Sequence, residues 1–366
     1  MIIHIIIFLS LSITSFYILI YLLSDHPKNI QSEAVFCPTN APLLDKDSRL
    51  KIMTWNIQFM AGNGYHFWFE PLDDSGPDKR PAKENILKTI EAVAALIKQE
   101  KPDIILLQEV DDGSTRTDKE DQLEKLLRFL PENYSSHTSC FYWKTAFLPH
   151  PKIMGSTGMK LSIISKYKIN KATRHSLPLI PQNWIVRQLG IKRAILEATL
   201  PYKNGGELTV MNTHLEAYSQ GYDTLQKQVE QVKEQLLKLD NAQLDWIIGG
   251  DFNLLPTGQY QQLDDESRKE FQPETELQLL YEHFSVLPSK QQLTENEVAW
   301  LTYLPNDPSI QSADRTLDYL IHSNGLKPQK VHVNQAAGFS CSDHAPLCAT
   351  FKFSRAHGSD TIQSPA

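Results

Sequence analysis

Short apolar runs recur along this chain, and several stop on polar residues that a strand end has no packing reason to carry. They read Thr54-Trp55-Asn56, Leu107-Gln108-Glu109, Asn212-Thr213-His214, Gly249-Gly250-Asp251-Phe252-Asn253, Leu317-Asp318-Tyr319 and Ser342-Asp343-His344. Carboxylates, amides and imidazoles delivered from strand termini can converge on one rim of a sheet. Binding sites are often built there, on loops held by a rigid scaffold.

The runs predict strands over 51–55, 104–108, 161–165, 195–200, 208–213, 246–248, 317–321, 330–333 and 347–353. Two stretches carry helical periodicity instead. Ile86, Ile90, Val93, Ala94 and Ile97 share one stripe, with Pro81 suited to the first turn, and Val229, Val232, Leu236 and Leu239 share another. Both stripes are what a core-facing helix looks like. The mixture predicts α/β layers. Hydrophobic residues at 41% and charged residues at 22% permit a large core in a chain of 366.

The N-terminus differs in kind. Residues 2–23 contain no Asp, Glu, Lys or Arg, and at ~1.5 Å per residue a helix of that length spans a bilayer. We expect residues 1–24 to be a membrane anchor, or a cleaved export signal that would leave the protein secreted, with the catalytic domain on the non-cytoplasmic side. Residues 25–49, polar and interrupted by Pro27, Pro38 and Pro42, read as a linker. Residues 50–354 form the domain, and 355–366 read as a disordered tail. The four cysteines, Cys37, Cys140, Cys341 and Cys348, include no C-x-x-C pair, which disfavours a structural zinc site.

Each polar residue alone has an ordinary explanation: Glu109 as a surface carboxylate, His214 as a core or loop histidine, Asn56 as a turn cap. The Gly-Gly-Asp-Phe-Asn run is more specific, because two glycines let backbones approach a compact site. The ordered set carries the argument, and phosphate-ester hydrolysis needs this inventory. A hard cation wants oxygen ligands. Water needs a base or a positioning carboxylate, and developing charge needs donors.

The motifs TWNIQ, LLQEV, NTHLE, GGDFN, TLDYL and SDHAP resemble the endonuclease/exonuclease/phosphatase superfamily. That group includes deoxyribonuclease I, AP endonucleases, neutral sphingomyelinases, inositol-polyphosphate phosphatases and deadenylases. The resemblance runs from about Leu50 to Phe353. It implies an α/β four-layer sandwich of two packed mixed β-sheets flanked by helices, here behind an N-terminal hydrophobic helix. It implies Mg²⁺, with Mn²⁺ as the alternative, held by Glu109 with Asn56 beside it and Asp343 joining. By the same resemblance Asp251 orients or deprotonates water, Asn253 and His214 contact phosphate oxygens, and His344 binds phosphate or assists proton transfer with Asp318 orienting it.

Substrate is less legible. Ser-Ala-Asp-Arg-Thr-Leu-Asp-Tyr at 312–319 departs from the Pro-Ala-Trp-Cys-Asp-Arg type motif of the inositol phosphatases. The hydrophobic segment and overall pattern resemble the nuclease-like domain attached to GPI-anchor lipid-remodelling proteins. Aromatic stretches at 65–69, 141–143 and 177–186 suit either a membrane-facing rim or the core. Arg174, Arg187, Lys192 and Arg193, with Trp184 nearby, suit a nuclease acting on DNA or RNA. The formal net charge of -7 offers polyanions no general attraction. We therefore expect a phosphate-ester substrate, lipid rather than nucleic acid, brought close by the membrane segment. A catalytically inactive binding module is the remaining reading, and no obligate protein partner is evident.

Overall fold

The computed structural model describes residues 1–217 and 221–354, so the expected disordered tail lies outside the described residues. Chain order begins with the helix α1 (Ile2–Leu23) and the strands β1 (Ile30–Glu33), β2 (Val35–Phe36) and β3 (Arg49–Asn56). After these come α2 (Lys83–Glu100), β4 (Ile104–Asp111), α3 (Gln122–Phe129), β5 (Ser136–Leu148), β6 (Gly155–Ser165) and β7 (Lys171–Ser176). The middle of the chain holds α4 (Trp184–Leu189), β8 (Ala194–Pro201), β9 (Glu207–His214), α5 (Thr224–Asn241) and β10 (Asp245–Asp251). The last part adds α6 (Leu277–His283), β11 (Ser285–Leu287), β12 (Asp318–His322), β13 (Leu326–Val333) and β14 (Leu347–Phe353).

Among the described residues the strands make two seven-stranded sheets, ordered β13-β14-β3-β4-β6-β5-β2 and β1-β7-β8-β9-β10-β12-β11. Both are mixed. Each has one parallel pair, β3 with β4 and β9 with β10, and these are joined by α2 and α5. Parallel neighbours need a crossover, and the two periodic stretches supply it.

Burial explains the apolar runs. Ile52, Leu106, Leu196, Val210 and Ile247 meet between the sheets. Their chain neighbours point the other way: Met53 and Ile105 pack beneath α2 and α3, Met211 and Ile248 beneath α5 and α6. Strands covered on both faces read as continuous hydrophobic runs. The result is the expected four-layer α/β sandwich.

β5 escaped the sequence reading because its buried face is Ser136, Thr138, Cys140 and Tyr142, a pattern that hydrophobicity does not register. The segment 25–49 requires a correction. It does not run as a free linker: β1 pairs with β7, β2 pairs with β5, and Leu44 is fully buried. An edge strand is paired on one side only, so a proline-interrupted polar stretch can supply one. The end of α1 is consequently fixed to the domain, with the Asp25 amide donating to Lys144 O at 3.3 Å and Ser24 bridged to Thr145. α1 itself is long and apolar enough to cross a membrane, and Ile20 is its one buried residue. The four cysteines are free thiols, with Cys140, Cys341 and Cys348 buried.

The paired glycines do different jobs. A Cβ on Gly249 would lie 2.8 Å from Leu106 and 3.3 Å from Thr54 on the facing sheet, whereas one on Gly250 would lie 2.0 Å from the Thr213 carbonyl oxygen. Backbone cannot yield as a flexible side chain can. Gly250→Ala is therefore expected to destabilise the domain by at least ~2 kcal/mol. Denaturant unfolding checks this, and a midpoint equal to that of the parent would contradict it.

Candidate active site

The rim is assembled by strand register. Asp251 closes β10, His214 closes the parallel β9 directly opposite, and Asp318 opens the antiparallel β12 at the same level. The facing sheet contributes Asn56 at the end of β3 and Glu109 on β4, and the turn before β14 contributes Asp343 and His344. Asn56 ties the two sheets together: its Nδ2 donates to Glu109 Oε1 at 3.1 Å and to Asp251 Oδ2 at 3.0 Å. Its Oδ1 accepts from the Gln58 amide. Asn56 therefore turns its amide nitrogen toward the carboxylates and bridges them.

Glu109 does not end its strand. β4 continues to Asp111, but its register with β6 slips between Leu107 and Val110, and Glu109 takes a left-handed φ of 56°. Such a bulge re-aims a side chain, here toward the cavity. Two other polar residues of the motifs serve packing. Gln108 Nε2 donates to Asn212 Oδ1 at 2.6 Å, and Asn212 Nδ2 donates to the Leu107 and Ser162 carbonyls. This buried network staples the sheets just behind the rim.

The histidines are driven to opposite states. His344 Nδ1 lies 2.7 Å from Asp318 Oδ2, and its carbonyl accepts from Trp55 Nε1 at 2.8 Å. Burial opposes the charged ring, but Asp318, Asp251 and Asp343 together raise it to about 10. His344 is thus an imidazolium at neutral pH. His214 is pushed well below the usual histidine range by burial, Arg193 and His344. Its Nδ1 sits 3.3 Å from the Tyr142 hydroxyl, which as a phenol donates, leaving Nε2–H to face Asp251 at 3.5 Å. The His344 Nε2 is also 3.5 Å from Asp251 Oδ2. Asp251 accepts the Asn253 amide at 3.0 Å, and Asn253, with a φ of 52°, directs its side chain to the Leu215 carbonyl.

Asn56, Glu109, His214, Asp251, Asn253, Asp343 and His344 line a cavity of about 420 Å³, with Asp318 behind His344. Five carboxylates face it: Glu70, Glu109, Asp251, Glu270 and Asp343. Burial raises Glu109, and burial with mutual repulsion lifts Asp343 to about 7 and Glu70 to about 8. Asp251 is raised to about 6, chiefly by burial. Oxygen donors crowded in this way suit a hard divalent cation, which would relieve their repulsion. Asp251, Asp318 and His344 also bring ligand atoms within 4.8 Å of one another. That trio is already closed by the Asp318–His344 hydrogen bond, while Glu109, Asp343 and Glu70 act on one another electrostatically across the same cavity without forming so tight a group.

Glu70 and Arg193 are the functional candidates that sequence reasoning passed over or misread. Glu70 follows the aromatic stretch 65–69 and ends no strand; it accepts from the Phe67 amide and from Asn306. Arg193 lies in sequence with Arg174, Arg187 and Lys192, and the structure gives Arg174, Lys192 and Arg193 separate partners. Arg174 is buried on the Phe141 and Lys192 carbonyls, and Lys192 Nζ donates to Gln188 O. Arg193 is 4% exposed, reaches Glu216 at 3.5 Å through Nη2, lines the cavity, and keeps Nε and Nη1 without a partner among the described residues. The aromatic stretches divide: Phe67 and Tyr142 are core, while Trp68, Phe69 and Trp143 line the cavity.

The pairing yields a prediction. Asp318→Ala and His344→Ala should lose activity non-additively, because each change removes the same charged hydrogen bond. A double-mutant cycle on kcat/KM checks this, and simple additivity would contradict it.

Residues 53–344 match the Endonuclease/Exonuclease/phosphatase family, and the chain belongs to it. Its members are hydrolases of phosphate esters. Solved structures share the fold at low identity. An endonuclease/exonuclease/phosphatase from Beutenbergia cavernae DSM 12333 is 20% identical with a TM-score of 0.53, covering 83% of this chain and 72% of its own. A family protein from Leptotrichia buccalis C-1013-b is 19% identical with a TM-score of 0.52, covering 83% and 100%. The human Nocturnin catalytic domain with bound sulfate anion is 20% identical with a TM-score of 0.50, covering 88% and 98%. A search of curated proteins gives no match.

Proposed function

We propose that the protein is a divalent-metal-dependent phosphoesterase acting on a phosphodiester or phosphorylated head group of a lipid, held beside its substrate by α1. One observation carries the chemistry: a single cavity joins an acidic cluster, two histidines in opposite protonation states and the unpartnered N–H groups of Arg193. Environments that push paired titratable groups apart mark acid and base roles.

The roles follow from the geometry. Asp251, a carboxylate above pH of about 6 and 3.5 Å from both imidazoles, receives the proton of the attacking water. Water oxygen bonds to phosphorus, and the ester oxygen leaves with the bonding pair. His344, held cationic by Asp318, donates to a phosphate oxygen, while neutral His214 and Asn253 complete the donor shell. Arg193 offers the pairing that a phosphate accepts. Glu109 and Asp343, with Glu70 alongside, would hold Mg²⁺ or Mn²⁺, which supplies charge neutralisation at the phosphate.

The lipid preference rests on α1 and on the aromatic wall of Trp68, Phe69 and Trp143, although Lys79, Arg80, Arg116, Lys152, Arg193 and Arg315 line the same cavity. We propose a non-cytoplasmic domain; protease accessibility in intact cells tests the side. The substrate test uses the full chain with Mg²⁺ against phospholipid and sphingolipid vesicles, plasmid DNA, RNA and inositol phosphates. Turnover on vesicles above that on DNA is expected. Efficient nicking of DNA with no lipid turnover would replace this reading with a nuclease.

A further inference from the structure

α4 is a short surface helix on which Trp184, Ile185 and Val186 are 39%, 36% and 42% exposed. Scattered apolar residues on a surface are ordinary, but a contiguous group calls for a partner. This one lies against α1. The Tyr17 ring is 4.9 Å from Trp184, and Ser24 Oγ hydrogen-bonds Gln188 at 3.4 Å.

The depth is informative. Tyr17 precedes Ser24 by seven residues, which is about 10 Å along a helix axis. Helices that lie in a membrane interface bury their apolar face by roughly 5–10 Å. With α1 spanning a bilayer and Ser24 at its surface, Trp184 falls at the boundary between head groups and acyl chains. Tyr17 and Tyr21 lie one helical turn apart within this depth, where amphipathic aromatics collect. The exposed Lys28, Lys144 and Arg187 border this end of the domain, with Asp25 and Glu33 among them. α4 is also tied to the cavity wall: Trp143 Nε1 donates to Leu189 O at 2.9 Å, and Trp143 and Ile191 both line the cavity.

We propose that the Trp184–Val186 patch is a bilayer-docking surface which, with the last turns of α1, seats the cavity mouth at the level of lipid head groups. Its partner is a phospholipid surface. The inference rests on α1 being a retained membrane segment, as in the function proposed above, but not on the chemistry of the cavity. It also deepens that reading: the ester reaches the site from the interface, in a lipid still embedded in its leaflet.

The test uses the full chain reconstituted in phosphatidylcholine–phosphatidylglycerol vesicles. In a Cys37→Ser background, Ile185→Cys and, as a remote control, Val298→Cys are labelled with an environment-sensitive fluorophore. The label at 185 is expected to shift to the blue and to be quenched by brominated lipid, and the label at 298 to do neither. Equal and weak quenching at both positions would overturn the proposal. A second variant, W184S/I185S/V186S, is assayed on a soluble phosphodiester and on vesicle lipid. Loss of docking should lower the vesicle rate roughly tenfold, by lowering effective concentration, and leave the soluble rate unchanged. Equal rates of variant and parent on vesicles would also overturn it. Quenching at 185 with no hydrolysis of either substrate would uphold docking and reject the phosphoesterase, whereas hydrolysis of the soluble ester without quenching would do the reverse.

Discussion

Turnover is expected to fall to background in excess EDTA and to return with Mg²⁺ or Mn²⁺. The reason is the crowding of Glu70, Glu109 and Asp343, whose carboxyls are raised by burial and by one another. The sign of the pH effect follows. With the cation removed, Asp343 and Glu70 hold protons to about 7 and about 8, well above their unfolded values. Their stabilising contribution is complete below the unfolded values of about 4 and is lost as pH rises through the folded ones. The chelated protein should therefore melt at progressively lower temperature as pH rises from about 4 to about 8, and level off above that. Added Mg²⁺ should recover the loss, because a cation binds the charged form. The metal concentration giving half-maximal activity should rise as pH falls, since protons compete for the same oxygens. Full activity in excess EDTA, or a melting temperature indifferent to both pH and Mg²⁺, would contradict the assignment.

Asp251→Asn is expected to lower kcat by at least ~10²-fold with little change in KM. The substitution preserves shape, and its one oxygen can still accept from the Asn253 amide, but its amide nitrogen then faces the donor Asn56 Nδ2. It removes the charge that accepts a proton from water. It also removes one of the carboxylates that hold His344 cationic. In the parent, activity should rise as pH increases through about 6, where Asp251 ionises; in the variant that limb should vanish. Thermal stability should change little, because the deleted buried charge is offset by a donor facing the donor Asn56 Nδ2. Steady-state kinetics across pH with a parallel melt provide the check. Near-parental kcat in a folded variant would remove Asp251 from the proton-accepting role.

Position in the chain decided what could be read from sequence. The central strands and the crossover helices were legible because burial on two faces, or on one helical stripe, writes itself into hydrophobicity; Ile104–Leu107 and Val229–Leu236 are examples. β5 and the edge strands β1 and β2 were not, since their inward positions are Ser, Thr and Cys or their partners lie on one side only. The same limit hides the strand pairings of residues 25–49, which the sequence presents as a linker, whereas the end of α1 at Leu23 is legible.

For the site, sequence alone determined which chemical groups are present and that they arrive at the ends of apolar runs. Those are local properties: a carboxylate after four apolar residues is visible without knowing its neighbours. Tertiary structure decided what each group does. Gln108 and Asn212 carry the same kind of signal as Glu109 and His214, yet one pair staples the sheets and the other faces the cavity. The difference lies in the register slip at Glu109 and the pairing of β9 with β10, which no spacing in the chain encodes. Protonation was likewise beyond reach. His214 and His344 are alike as residues, and only their burial, one beside Arg193 and the other against Asp318, makes the first neutral and the second charged.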